Sequence, residues 1–179
     1  MIPKLCSFGE YGIFSAANQW NAIIHYIPSV LANVVLSYLS GTVQNKEEHI
    51  KNLKMMTKVN LISSLIPFVI VFIFSSPISS LYGPSFVGLK ATLVILVLST
   101  VFVAISNVYS SELIANGHVW PLFAMRLSRD IIIFVGSYLI IVSRIIDGGA
   151  KVVALCTVIA NILFFVVLMV YYHYRLANE

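Results

Sequence analysis

Apolar runs broken by short polar turns divide the chain into five segments, at about 11–40, 59–81, 90–115, 121–144 and 151–173. Each is about 23 residues or longer, against roughly 20 needed to cross the hydrocarbon of a bilayer as a helix. The last four are joined by turns marked by Gly83 and Pro84, Asn116 and Gly117, and Gly148 and Gly149. This pattern predicts an all-α transmembrane fold, a five-helix bundle forming a single domain over residues 1–179. The first and second segments are separated by GTVQNKEEHIKNLKMMTK, the one markedly charged run. Within it Ile50, Leu53 and Met56 are loosely amphipathic among lysines. Two descriptions fit this run: a helix lying on the inner membrane surface, or a solvated connector whose lysines fix topology.

In the first segment Asn18, Asn21, His25, Ser29, Asn33 and Ser37 recur every three or four residues, the spacing of one helix face. Ile24, Ile27, Val30, Leu31 and Val34 take the remaining surface. An amide or imidazole left unpaired in hydrocarbon costs on the order of several kcal/mol. The stripe is therefore expected to face a polar cavity, with Asn18, Asn21, His25, Ser29 and Asn33 as substrate-cavity residues. The alternative is that it hydrogen-bonds to neighbouring helices and holds the bundle together. Pro28 removes an amide donor near mid-helix and is the expected hinge. A weaker stripe of Thr92, Ser99, Ser106 and Ser110, with Asn107 beside it, runs through the third segment, and Thr157 and Asn161 lie in the fifth. Hydroxyls bond readily to their own helix, so these residues are expected to serve packing.

Composition agrees with a membrane location. The chain is 59% hydrophobic and 10% charged, with mean hydropathy +0.94, whereas soluble domains carry about a quarter charged residues. Its net charge of +4 comes from basic residues scattered between apolar segments, as in membrane topology, so nucleic-acid binding is excluded. Alternation places Lys46, Lys51, Lys54, Lys58, Arg126, Arg129 and Arg175 on one side and Lys4, Lys90, Arg144 and Lys151 on the other. The richer side is expected to be cytoplasmic, with the carboxyl terminus inside and the amino terminus outside. Met1 to Glu10 contains neither a signal peptide nor another device for export, so a preceding helix is expected to be missing.

Ionisable groups close to the spans are His25, Glu112, Arg126, Arg129 and Asp130, and such groups are functional candidates by default. Glu112, Arg126 and Arg129 lie near turns and are expected at the inner interface, with Arg129 and Asp130 in one local cluster. The arginines either snorkel or contact an anionic headgroup. His25 lies deeper, where substrate contact or proton coupling is the expected role. Cys6 and Cys156 have no paired spacing, and the four histidines lie in separate regions. HExxH, GxSxG and Walker patterns do not occur. No catalytic residues, cofactor or metal are expected.

The run GEYGIFSAANQWNAIIHYIPSVLANVVLSYLSG, from Gly9 to Gly41, resembles a helix of O-antigen and other polysaccharide flippases that combines a YGxF-type start, SAA-x-QW, a mid-helix IP and a terminal LS. The run PISSLYGPSFVGLKATLVIL, from Pro77 to Leu96, is similar to the LYG-x-x-F element between two later helices of that family. The resemblance implies the superfamily that also contains multidrug and toxin extruders, built from two six-helix halves around a central cavity. It equates this chain with the last five helices of the second half of a twelve-helix flippase in the bacterial inner membrane, as a probable carboxyl-terminal fragment. The implied substrate is an undecaprenyl-diphosphate-linked oligosaccharide, with Arg126 and Arg129 as diphosphate contacts. The implied partners are the lipid bilayer, the missing amino-terminal half and polysaccharide assembly proteins. Alternatives are a drug-extruder fragment, an inert remnant or a membrane assembly partner; an O-antigen polymerase or ligase would need a large external loop, which this sequence lacks.

Overall fold

The protein is described by a computed structural model covering residues 7–143 and 148–175. It contains five helices, α1 Phe8–Thr42, α2 Lys46–Leu81, α3 Leu89–Ala115, α4 Val119–Val142 and α5 Gly149–Arg175, and no strand among the described residues. The expected all-α fold is therefore present. Four of these helices are long and apolar enough to cross a membrane. The exception is α4, because Arg126, Arg129 and Asp130 fall within any bilayer-length stretch of its 24 residues. The span expected at 121–144 is thus long enough but not apolar enough by itself. Lys4, Cys6 and Arg144 lie outside the described residues.

α3 is the central helix, packed against α1, α2 and α5 and touching α4. Its Leu89, Leu93, Leu96 and Val97 join Ile13, Ala16, Ala17 and Ile24 of α1, Val71 and Ile78 of α2, and Ala150 and Ala154 of α5 in the largest core cluster. Alanines at Ala16, Ala17, Ala150 and Ala154 let the helix axes approach closely, the usual device of packed membrane helices. α4 lies at the periphery, packed chiefly on α5, with only Leu122 and Ser137 buried among its described residues.

The charged run after α1 forms neither a separate surface helix nor a loose connector. It makes up the first three turns of α2, a helix of 36 residues and thus about 54 Å long, well beyond a hydrocarbon core of about 30 Å. Asn45 starts it by accepting the Glu48 amide at 3.4 Å, while its own amide meets the Glu48 carboxylate at 3.3 Å. Leu53 and Met56 then enter a cluster with Val35, Leu39 and Val108, which fixes the run against α1 and α3. Ser7 caps α1 in the same manner through the Glu10 amide at 3.3 Å. The Glu10 carboxylate instead accepts the Gly149 amide at 2.9 Å, placing a negative charge at the positive end of α5.

The two motifs behind the family resemblance pack on one another. Trp20 Nε1 of the SAA-x-QW run donates to the Tyr82 hydroxyl of the LYG-x-x-F run at 3.0 Å. A Cβ added at Gly12 would lie 3.9 Å from the Phe86 ring. Gly83 follows Tyr82 with φ of +85°, a backbone conformation that favours glycine. These letters join α1 to the α2–α3 turn.

Candidate functional site

A cleft of about 650 Å³ opens between α1 and α4, walled behind by α3 and α5. α1 supplies Asn21, Ala22, His25, Tyr26 and Ser29, and α3 supplies Ser99, Thr100, Val103, Ser106 and Asn107. From α4 come Arg126, Arg129 and Ile133, and from α5 come Thr157, Asn161 and Phe164. His25 is equidistant from Phe8 and Thr42, the two ends of its helix, so the cleft lies at mid-height in the bundle. α1 and α4 make no substantial packing contact, which leaves the cleft open along that side.

Three of the five expected cavity residues, Asn21, His25 and Ser29, line this cleft. Asn18 and Asn33 do not, and both are exposed on α1. Helix geometry accounts for Asn33: at 3.6 residues per turn each four-residue step advances about 40°, so a row begun at Asn21 has turned about 120° by Asn33. Pro28 is buried and helical backbone continues through it. Beside it the Ser29 hydroxyl donates to the Tyr26 carbonyl at 2.7 Å.

The hydroxyls of α3 and α5 do more than pack. Ser99 donates to the Leu96 carbonyl at 2.6 Å and Thr157 to the Val153 carbonyl at 2.8 Å, the self-satisfying bonds expected of them. Both nevertheless line the cleft, as do Ser106, Asn107 and Asn161. The Ser106 hydroxyl and the Asn21 side-chain oxygen are buried without a hydrogen-bond partner among the described residues. A polar group in that state is stabilised by any ligand or water that pairs with it.

Arg126 and Arg129 reach the same cleft as His25, so neither serves only the interface. Their charges are held differently. Arg129 donates to Asp130 Oδ1 through Nε at 2.9 Å and Nη2 at 2.8 Å, and its guanidinium lies 5.2 Å from the centre of the Phe164 ring. The local Arg129–Asp130 cluster is thus present. Arg126 has no hydrogen bond or ion pair among the described residues, which leaves its charge uncommitted. Among the described residues no group of His, Cys, Asp and Glu side chains could hold a metal ion, and Cys156 is a free, buried thiol.

Glu112, near the end of α3, is buried and paired with His49 at 2.8 Å. Nothing local in the sequence pairs these residues, since 63 positions separate them and the run carrying His49 reads as a surface helix or a solvated connector. One signal was available: Asn45 followed by Glu48 is a helix-start signature that places His49 inside α2.

Comparisons with known protein families, curated proteins and solved structures find no match to this chain.

Proposed function

We propose that this chain is part of a membrane flippase that moves a lipid-diphosphate-linked oligosaccharide, an O-antigen or related polysaccharide unit, across the bacterial inner membrane. The carrying observation is one mid-bundle cleft that combines neutral amides and hydroxyls with two guanidinium groups and opens sideways. Amides and hydroxyls at Asn21, Ser29, Ser106, Asn107 and Asn161 suit sugar hydroxyls, which donate and accept in turn. Guanidinium groups suit diphosphate, whose oxygens they bind in a fork. The lateral opening lets a polyprenyl tail remain in lipid while the head enters the cleft. Bending at Pro28 helps alternate access between the two sides, with the carboxyl terminus cytoplasmic.

A volume of about 650 Å³ takes the diphosphate and the first sugars only. The rest of the unit needs a facing wall, as do Asn18 and Asn33, which would otherwise meet hydrocarbon. In this proposal a missing amino-terminal half, or an assembly protein, supplies that wall. A drug extruder fits less well, because it calls for a more apolar cavity with an acidic residue deep in a span, and none of the residues lining this cleft is acidic. Asn21→Leu and His25→Leu should each abolish complementation of a flippase-deficient strain by the intact protein while expression persists. Full complementation by both variants would reduce the stripe to packing.

A further inference from the structure

The turn from α2 to α3 stands apart from the cleft, at the opposite end of α2 from its lysine-rich first turns. Two cavities adjoin there. One, of about 450 Å³, lies against the turn and is lined by Ser76, Ser79 and Ser80 of α2, by Pro84 of the turn and by Lys90 of α3. The other, of about 630 Å³, runs deeper along the same two helices and is lined by Phe72 and Ile73 of α2 and by Ala91, Val94 and Ile95 of α3. Ser76, Gly88 and Lys90 line both, which makes one groove of the two.

The groove is polar at the helix ends and apolar towards the middle of the bundle. Ser80 and Phe72 lie on one continuous helix, and at a rise of 1.5 Å per residue the change takes place over about 12 Å. At the polar end Lys90 is exposed and makes no ion pair among the described residues, and no acidic side chain lines either cavity. Ser75 and Ser80 donate to the Phe72 and Pro77 carbonyls at 2.8 and 2.7 Å, whereas Ser76 and Ser79 make no side-chain hydrogen bond among the described residues. Gly88 opens α3 without a side-chain cap, and a Cβ there would meet nothing within 4 Å. At the apolar end Phe72 and Ile73 are 58% and 64% exposed, so the groove is open to the surrounding hydrocarbon. A soluble anion would fill the polar end only, and a neutral lipid would leave Lys90 without a counter-charge.

We propose that this groove binds an anionic phospholipid, with the headgroup phosphate at Lys90, Ser76 and Ser79 and an acyl chain along Phe72, Ile73, Val94 and Ile95. Basic pockets between membrane helices hold acidic headgroups by the same combination of charge and hydroxyl donors. The site is separate from the cleft and does not depend on what the cleft carries. The same turn carries Tyr82, whose hydroxyl accepts from Trp20 of α1 at 3.0 Å. An occupied groove therefore braces the junction of α1, α2 and α3.

The test is native mass spectrometry of the full chain released from nanodiscs containing equal parts of phosphatidylglycerol and phosphatidylcholine. The wild-type chain should retain phosphatidylglycerol in preference. Lys90→Ala should lower that preference about fivefold, the weight of one lysine at a lipid surface, and Lys90→Arg should keep it. Lys46→Ala, at the other end of α2 and equally exposed, should leave it unchanged. Ala91→Trp, which fills the apolar end, should lower phosphatidylglycerol retention with Lys90 still in place. Inorganic phosphate should displace the lipid no more than chloride at equal ionic strength. Equal retention of the two lipids by the wild type overturns the proposal, as does a loss in Lys46→Ala as large as that in Lys90→Ala. Specific displacement by phosphate, or full retention in Ala91→Trp, overturns it as well by showing an anion site without a place for the chain. The exposed Lys90 variants and the phosphate competition keep the test decisive if Ala91→Trp fails to fold.

Discussion

Arg126→Ala should weaken binding of a lipid-linked diphosphate oligosaccharide by about 10- to 100-fold, the loss expected when one hydrogen-bonded guanidinium–phosphate contact is removed. Arg129→Ala should cost distinctly less. Both arginines line the cleft, but Arg129 is paired with Asp130 at 2.8 Å, whereas Arg126 makes no hydrogen bond or ion pair among the described residues. Arg126→Lys should fall between wild type and alanine, since a point charge replaces the fork but not its geometry. Titration of the chain in nanodiscs with the lipid-linked oligosaccharide reads all three variants. A larger effect at Arg129, or none at either position, would remove diphosphate recognition from this cleft.

The largest loss of stability is expected from His49→Leu. It leaves Glu112, 3% exposed, as a buried carboxylate without its partner, a change worth about 3–5 kcal/mol. His49→Leu combined with Glu112→Leu should recover most of the stability, since replacing both partners of a buried pair with apolar groups is close to neutral. Thermal unfolding in detergent measures this, and equal losses in the single and double variants would show that the pair contributes nothing.

Hydropathy made the helices legible because α1, α2, α3 and α5 each contain a bilayer-length apolar stretch with few charges. α4 reads as a fifth span by its length, but Arg126, Arg129 and Asp130 interrupt its apolar stretch, and the two arginines stand in the wall of the cleft. Asn21, His25 and Ser29 could be read from periodicity, since residues four apart stay near one another over two steps. Over longer runs the drift of the row displaced Asn33. Ser99 and Thr157 read as packing residues because a hydroxyl bonded to its own helix has the same sequence signature whether it faces a helix or a cleft, and Ser106, Asn107 and Asn161 lie on the same rows. The His49–Glu112 pair depends on α2 beginning at Lys46 and on α2 docking to α3. Only the first of these has a local signal.

The proposed function requires Asn21, His25 and Ser29 of α1 to face a water-filled, substrate-binding cleft. Single cysteines tested in a chain free of Cys6 and Cys156 measure this most directly, using a membrane-impermeant thiol reagent on intact membranes. Cysteines at Ser29, Asn107 and Asn161 should react, and a lipid-linked diphosphate oligosaccharide should protect them. Cysteines at Ile23 and Phe134, on the exposed apolar faces of α1 and α4, should remain unlabelled. Equal labelling at all five positions, or none at Ser29, Asn107 and Asn161, would contradict the account.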